Sequence, residues 1–515
     1  MTQLRIDDIL VLLISPELCF LSIVGEIAGR KRMIGRKREQ EELLRRYGRN
    51  KAEFIAVYGR RRIGKTTLIT ETFQNQFAFH HAGLTPVENE QDEKRPGALQ
   101  SEVSRQLKHF HHALVSFGLE NTSEPATWLD AFYLLEELLR QKDDGSRQIV
   151  FLDELPWMDT PRSGFITALE GFWNSWGCQR KNLMLIVCGS ASSWMLDKLI
   201  NNHGGLYNRV TCEIRLAPFS LCECRQFLQA NGVPFTSYDL AECYMVFGGI
   251  PYYLDAMDER LSLAQNIDRL FFQRDAMFRD EFDRLFHSIF ANPETMKSIV
   301  KLLNNRRGGY TRKEISEMTG LSGKTLTSCM RALVGSDFVE YYIPFLSGKR
   351  EAKYRLIDPF CQFFLRFVED QQKRDESFWV HQQTSQSINA WRGLAFENVC
   401  FFHIPQIKRA LGISGVRSSQ SAWILRSEDE NAQIDLLIER DDRVINACEI
   451  KFYSDEFVVD KTYYRKLLSR QGMLMERISP KVSVQQTLIS TYGLKRNEYS
   501  SIFTQVITME DLLKE

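Results

Sequence analysis

The chain has 515 residues, of which 43% are hydrophobic and 26% are charged, a composition typical of soluble globular proteins with about three domains. Its 66 basic and 66 acidic side chains balance, which excludes a uniformly basic nucleic-acid-binding protein, so any surface for nucleic acid must be local. The 11 cysteines include no C-x-x-C pair, and we expect reduced thiols in a cytoplasmic protein.

The first 32 residues are expected to be an atypical N-terminal extension. Residues 9–24 are apolar, but they carry Pro16 and Glu17 near their centre, and the run is shorter than the roughly 20 residues that a bilayer span needs. No small-residue cleavage site follows the run, which argues against a signal peptide. We therefore expect no membrane anchor and a globular part that begins near Met33.

The segment 54–68 combines an apolar strand pattern, a glycine loop and the start of a helical pattern. The loop reads G-x-x-x-x-G-K-T, and this order of strand, loop and helix is the context of a phosphate-binding P-loop. Backbone N–H groups of the loop and the helix N-terminus would point at phosphate oxygens. We expect Lys65 to reach the β- and γ-phosphates of ATP and the Thr66 hydroxyl to ligate Mg²⁺. The nucleotide-binding residues predicted in the loop are Gly59, Arg60, Arg61, Arg62, Ile63, Gly64, Lys65, Thr66 and Thr67.

Two amphipathic helices and an acidic strand end are predicted next. The helices, at 99–117 and 126–142, have apolar residues that recur at steps of three and four. The strand 148–152 is apolar and ends in Asp153 and Glu154, which is typical of a buried parallel strand that delivers carboxylates to the ligand-binding edge of a sheet. Asp153 would hold Mg²⁺ through water, and Glu154 would orient or polarise the attacking water.

Two further residues are candidates for contact with phosphate. Ser190 follows the buried strand 183–188 and is either a polar sensor beside the γ-phosphate or a plain helix N-cap. Arg209 precedes the strand 210–216 and is a candidate for stabilising phosphate charge, either in its own subunit or across the interface of a homo-oligomer. A surface salt bridge is the alternative for Arg209.

These motifs together resemble the archaeal-type, AAA+-related P-loop ATPases, and the resemblance extends over residues 33–515. It implies an ATP-hydrolysing core at 33–220 and a helical lid at 221–290 that moves with the phosphate state. Ser190 stands where AAA+ proteins usually have Asn, and Asn208 stands where Gly often precedes the arginine. The stretches that carry the resemblance are Ile34-Gly35-Arg36, the P-loop, Asp153-Glu154-Leu155-Pro156-Trp157, Gly189-Ser190 and Gly248-Gly249-Ile250-Pro251-Tyr252-Tyr253-Leu254.

Residues 291–360 are predicted to form a winged helix-turn-helix. Thr311 and Glu314 form a capping box that opens a helix, a glycine-containing turn follows, and a second helix is predicted at 324–334 before a β-hairpin. Basic side chains exceed acidic ones only modestly here, so DNA binding and a pure packing role both remain open. The residues that would face a DNA groove are Lys324, Thr325, Thr327, Ser328 and Arg331.

The last third, 361–515, carries a second candidate site. Glu449 and Lys451 share one face of a predicted strand, and Asp435 interrupts an apolar neighbouring strand. Two such carboxylates can bind Mg²⁺ and activate a water, while Lys451 positions that water or stabilises the developing charge. With Glu397 on the leading helix, the set resembles the restriction-endonuclease-like nucleases, which implies that Glu397, Asp435 and Glu449 bind metal. The alternative is a surface hairpin with a weak Glu–Lys pair.

The sequence thus predicts an α/β multidomain protein with four parts after its N-terminal extension. They are a P-loop AAA+-like parallel sheet, a helical lid, a winged helix-turn-helix and an α/β restriction-endonuclease-like domain. We expect ATP hydrolysis coupled to nucleic-acid binding, with Mg²⁺-dependent DNA cleavage as a further activity. One alternative is an ATP-dependent signalling switch whose nuclease-like domain is inactive, and another is a transcription regulator specific for one operator.

Overall fold

The structure is a computed structural model, and it describes residues 33–85, 98–201, 204–369, 375–426 and 431–514. The expected N-terminal extension lies outside the described residues. None of the helices in these ranges is long and apolar enough to cross a membrane. The described cysteines are free thiols, and only Cys178 among them is exposed.

The first structural unit is built on a parallel sheet of five strands in the order β2-β3-β4-β1-β5. All neighbouring strands are parallel, so their carboxyl ends lie at one edge of the sheet. The predicted strands at 54–58, 148–152 and 183–188 are confirmed, and every residue of the three is buried, as expected where helices cover both faces. The strands are β1 (Glu53–Tyr58), β2 (Phe79–Ala82), β3 (Gln148–Asp153), β4 (Leu183–Gly189) and β5 (Cys212–Arg215).

Helices cover the two faces of this sheet. Side chains alternate along β1, so Phe54 and Ala56 belong to one hydrophobic core, whereas Ile55 and Val57 belong to the other. The two predicted amphipathic helices are confirmed as Ala98–Ser116 and Trp128–Gln141. The remaining helices of the unit are Lys37–Tyr47, Lys65–Thr72, Leu155–Met158, Phe165–Ser175, Gly177–Gln179, Ser192–Trp194 and Met195–Ile200.

A helical region follows, as predicted for 221–290. Helix Ser237–Phe247 is separated from helix Pro251–Asp255 at Gly248 and Gly249, which both have positive φ. A Cβ atom on Gly249 would lie 2.4 Å from the carbonyl oxygen of Phe219, so this close approach requires glycine. The helices are Leu221–Ala230, Ser237–Phe247, Pro251–Asp255, Leu263–Ile267, Asp268–Phe272 and Glu281–Ile289.

The next region contains the predicted pair of helices and the hairpin. The capping box of Thr311 and Glu314 is present, and it opens the helix Arg312–Thr319. The second helix is Gly323–Gly335. A three-stranded sheet, ordered β6-β8-β7, accompanies them, while the assignment as a winged helix stays a prediction. The other elements here are the helix Pro293–Asn304, β6 (Tyr310–Thr311), β7 (Val339–Tyr342), the turn Lys349–Glu351 and β8 (Lys353–Leu356).

The C-terminal region holds a mixed sheet in the order β13-β12-β11-β10-β9. Strands β9 to β11 are antiparallel, whereas β11 to β13 are parallel. The predicted strands around 433–438 and 444–451 and the helix near 461–474 are confirmed. The strands are β9 (Ser418–Arg426), β10 (Asn431–Arg440), β11 (Val444–Lys451), β12 (Ser483–Ser490) and β13 (Gln505–Thr508). The helices are Pro359–Phe367, Phe378–Gln382, Gln386–Phe402, Ile404–Ala410, Lys461–Met475, Ser500–Ile502 and Met509–Leu512.

The helical region and the C-terminal region are joined by buried contacts. Helix Ser237–Phe247 packs against helix Gln386–Phe402. Across this contact, both the Nε and Nη2 atoms of Arg392 donate to Glu242, at 3.0 and 2.7 Å, and both side chains are buried. Removing either partner would leave an unpaired buried charge, so this pair constrains how the two regions pack.

Candidate functional site

The P-loop lies between β1 and the helix Lys65–Thr72, at the carboxyl edge of the parallel sheet. Gly59 has a φ of 149°, and a Cβ atom there would lie 2.3 Å from the carbonyl oxygen of Leu216. Gly64 has a φ of 84° at the N-cap of the helix. Both glycines therefore occupy positions that a side chain would disturb, as the loop motif predicts.

Lys65 is buried inside this loop. Its Nζ atom donates to the carbonyl oxygens of Gly59 and Arg60 at 3.2 and 3.0 Å, and to the Ser190 hydroxyl at 2.9 Å. Only 5% of Lys65 is exposed, so each of these bonds replaces one with water. The structure thus brings together three predicted site residues: Lys65, Arg60 and Ser190.

Asp153 lies beside the hydroxyl group of the P-loop residue Thr66. Thr66 Oγ1 donates to Asp153 Oδ2 at 2.7 Å, and the Glu154 N–H donates to Asp153 Oδ1 at 2.8 Å. The Cys188 thiol also donates to Asp153, and burial raises the pKa of this thiol well above its usual value, which keeps it protonated. The hydroxyl and carboxylate oxygens of Thr66 and Asp153 are the donor type that Mg²⁺ prefers, so these two residues fit the expected ion.

Glu154 and Ser190 form the polar edge of the same site. Glu154 adopts a left-handed backbone conformation with φ 45°, an uncommon one for a side chain of this size. Its carboxylate accepts hydrogen bonds from the Ser190 hydroxyl at 2.6 Å and from the Ser190 N–H at 3.1 Å. Ser190 therefore bridges Lys65 and Glu154 and is not a plain helix cap, since no side-chain cap bond is made at the following helix.

The P-loop arginines contact residues far along the chain, which the sequence did not indicate. Arg60 forms a buried ion pair with Asp358, and the half-buried Arg62 forms an ion pair with Glu281. Glu281 also accepts a 2.9 Å hydrogen bond from the Tyr253 hydroxyl. Because Asp358 lies 298 residues from Arg60 and Glu281 lies 219 residues from Arg62, no local pattern could have revealed these pairs.

The structure does not bring Arg209 to the phosphate site of its own subunit. Strand β5 runs parallel to β1, and its first residue, Cys212, pairs with Ile55, three residues and about 10 Å before the P-loop end of β1. Arg209 is exposed and lies beyond this opposite end of the sheet. A role in its own subunit is therefore not supported by this arrangement, because the sheet separates Arg209 from the loop.

In the C-terminal region, Glu449 is surrounded by cations. It is buried and accepts from Lys451 at 2.6 Å and from Arg470 at 2.5 Å, and the Tyr463 hydroxyl donates to it as well. Burial alone would raise the pKa of Glu449, but the Lys451 and Arg470 charges lower it. Asp435 accepts from the Ile450 N–H at 3.2 Å, and burial raises the pKa of this carboxyl.

Glu397 is likewise paired with a cation. It forms an ion pair with Arg307, which lies in the segment between helix Pro293–Asn304 and β6, outside the C-terminal region. Burial lowers the pKa of Arg307, and the negative charge of Asp435 partly offsets this effect. Across the described ranges, no three His, Cys, Asp or Glu side chains are grouped to hold a metal ion. In this arrangement Glu397 and Glu449 do not fit a metal, since arginine and lysine already compensate their charges, whereas Asp435 accepts from the backbone.

Four of the five residues predicted to contact DNA line a cleft, and none of the five lines a second groove on the neighbouring surface. Helix Gly323–Gly335 forms one wall of a 510 Å³ cleft, and the ATPase core forms the other wall. Across this cleft, Arg331 lies 3.5 Å from Asp197. Lys324, Thr327 and Ser328 line the same cleft, while Thr325 is exposed. On the other side, an 840 Å³ groove runs between the two helices and the hairpin and is lined by Arg312, Lys313, Tyr341, Lys349 and Arg350.

Comparisons with known proteins agree with the P-loop geometry. Residues 33–257 match the model of a family described as an ATPase domain predominantly from Archaea. An uncharacterized protein of Methanocaldococcus jannaschii, MJECL04, is 24% identical over 448 residues, which cover 86% of this chain and 92% of that protein. A short ATP-binding protein of the same organism, MJ0423, is 49% identical over 43 residues, which cover 8% of this chain and 73% of that protein.

Among solved structures, the Walker-type ATPase paby2304 of Pyrococcus abyssi is similar at 17% identity, with a TM-score of 0.43, covering 65% of this chain and 96% of that one. The site and the family match define the class: the protein is a P-loop ATPase that binds nucleotide. Its residues 33–257 form an ATPase domain of the family found predominantly in Archaea.

Proposed function

We propose that the protein couples ATP hydrolysis to nucleic-acid binding through residues 291–360. The observation that carries this proposal is the position of helix Gly323–Gly335 against the segment that follows Ser190. Gly335 lies beside Ser193, and Arg331 pairs with Asp197. A change at the phosphate that moves Ser190 would therefore move the surface on which the predicted DNA-binding helix rests.

In this proposal, ATP lies on the loop 59–67. Lys65 would contact the β- and γ-phosphates, Thr66 and Asp153 would hold Mg²⁺, which would neutralise phosphate charge, and Glu154 would orient the attacking water. Arg209, exposed on the opposite end of the sheet, acts only across the interface of a homo-oligomer.

The nucleic acid would contact the 840 Å³ groove rather than the cleft. A recognition helix must enter a DNA major groove about 12 Å wide, and the Arg331–Asp197 pair holds the cleft face of helix Gly323–Gly335 against the ATPase core. The groove offers four basic side chains and Tyr341, a combination that suits phosphates and an exposed base or sugar. From the order of the helices and strands, we propose domain boundaries at 33–220, 221–290, 291–360 and 361–515.

The C-terminal region acts in this proposal as a binding or regulatory module. Arg307 pairs with Glu397, and Lys451 and Arg470 pair with Glu449, so two of the three carboxylates that a nuclease would use for metal are occupied. This pairing favours the alternative in which ATP drives a switch and the nuclease-like domain, at 361–515, does not cleave. Cleavage would require Arg307 to leave Glu397 first.

The test is binding of a fluorescently labelled 30-base-pair duplex and of the matching single strand, measured by anisotropy with and without Mg·ATP. We expect Arg350→Ala to weaken binding about threefold to tenfold and to lower the salt dependence by about one charge, because it removes one phosphate contact. The matched control is Lys181→Ala, an exposed basic residue on the ATPase core. Equal binding by both variants would refute the assignment of the groove. Binding that ATP does not change would refute the coupling.

A further inference from the structure

Arg60 and Asp358 form an ion pair that links the P-loop to the end of the hairpin. Both side chains are almost fully buried, at 2% and 1% exposed. Asp358 lies two residues after the end of β8 and caps the helix Pro359–Phe367 by accepting from the Cys361 N–H at 2.7 Å. Its position is further fixed because the Ile357 N–H donates to the carbonyl oxygen of Phe338 at 3.0 Å.

The same arginine holds the catalytic lysine through its backbone. The carbonyl oxygen of Arg60 accepts from Lys65 Nζ at 3.0 Å, next to the 3.2 Å bond to Gly59. The guanidinium of Arg60 lies 4.7 Å from the centre of the Phe338 ring. The side chain of Arg60 is thus anchored in the hairpin region, while its carbonyl group positions the lysine ammonium.

We propose that Asp358 is a positioning residue for ATP hydrolysis, acting on Lys65 through Arg60. A buried ion pair adds little net stability, because the desolvation of two ions offsets their attraction. It does impose a defined geometry, because the Nη1 atom of Arg60 must meet one carboxylate oxygen of Asp358. The pair therefore fixes the position of the Arg60 carbonyl group, which in turn positions the Lys65 ammonium group for the phosphates.

This inference concerns the ATPase reaction itself, so the experiment is done without nucleic acid. Asp358→Asn keeps the helix cap, because Asn caps helices as well as Asp does, but it removes the charge that holds Arg60. We expect kcat for ATP to fall about tenfold or more, since small displacements of a catalytic group have effects of this size, while KM changes less than about threefold. Arg60→Gln should give the same loss.

The double variant tests whether the two residues act as one unit. If Asp358 acts through Arg60, the Asp358→Asn/Arg60→Gln protein should lose no more kcat than either single variant. Losses that multiply would overturn the inference, as would an Asp358→Asn protein whose kcat stays within twofold of wild type.

The matched control is Asp268→Asn. Asp268 is also buried and also accepts from a helix N-terminus, from the N–H groups of Trp379 at 2.7 Å and Val380 at 3.1 Å. Its substitution should leave kcat within twofold of wild type, and an equal loss in this control would refute a specific role of Asp358. If Asp358→Asn does not unfold cooperatively, Arg60→Lys replaces it, because lysine keeps the charge but not the planar geometry. The same kcat criteria then apply.

Discussion

Replacing Glu154 with glutamine separates nucleotide binding from hydrolysis. Glutamine has the same length and can still accept from the Ser190 N–H, now at 3.1 Å, while its amide reverses the 2.6 Å bond to the Ser190 hydroxyl. The P-loop contacts of Lys65 do not involve Glu154 directly. We therefore expect a folded protein that binds ATP but hydrolyses it slowly.

The two effects differ greatly in size. Exchanging a charged acceptor for a neutral one costs about 1 kcal/mol per hydrogen bond, or about 2 kcal/mol for the two bonds, which a protein with typical stability tolerates. Loss of the group that polarises the attacking water typically lowers the rate by about 10²–10⁴-fold. The rate should thus fall at least 100-fold while the protein stays folded.

The assay combines phosphate release at saturating Mg·ATP with titration of a fluorescent ATP analogue. Glu137→Gln, at a half-buried glutamate on the helix Trp128–Gln141 of the same unit, is the matched control and should behave as wild type. If Glu154→Gln hydrolyses ATP within fivefold of wild type while Lys65→Ala is inactive, Glu154 is not the polarising group. If it fails to bind the analogue, its role is in binding.

Three further outcomes are expected. Lys65→Ala should weaken binding of the fluorescent analogue at least about tenfold and abolish phosphate release, because the three acceptors around Nζ lose their donor and the phosphates lose a cation. Arg307→Gln should free Glu397 and produce a heat of Mn²⁺ binding in calorimetry that wild type lacks; no added heat would mean that the other cations suffice to exclude metal. Burial lowers the pKa of His81 from 6.5 to about 3. As the pH drops below about 6.5, His81 therefore becomes protonated in the unfolded state but stays neutral in the folded state, and the free energy of unfolding falls. His81→Leu should therefore lose about 2 kcal/mol less than wild type between pH 7 and pH 5 in urea unfolding, and equal losses would contradict this assignment.

Much of the local structure could be predicted from the sequence because it depends on neighbouring residues. The apolar runs of β1, β3 and β4 follow from burial on both faces, and the glycine loop follows from backbone geometry that side chains cannot adopt. The same reasoning placed Asp153 and Glu154 beside the P-loop, since parallel strands end at one edge of a sheet. The capping box of Thr311 and its helix also depend on residues only three apart.

The tertiary structure alone decided which charges meet. Glu397 and Glu449 have the spacing of a metal site in the sequence, but Arg307 and Arg470 neutralise them after folding. An exposed arginine and an arginine buried in an ion pair look alike in sequence. The reason is that an ion pair depends on distance in space and on desolvation, neither of which has a local pattern.

The P-loop itself illustrates this division. Its glycines, Lys65 and Thr66 are specified by a short motif, and the sequence by itself determined that this protein binds and hydrolyses a nucleotide. That Asp358 lies against the loop became known only from the fold, since 298 residues separate it from Arg60. The physical reason is that chemistry at one loop is encoded locally, whereas the contacts that position the loop come from wherever the chain returns to it.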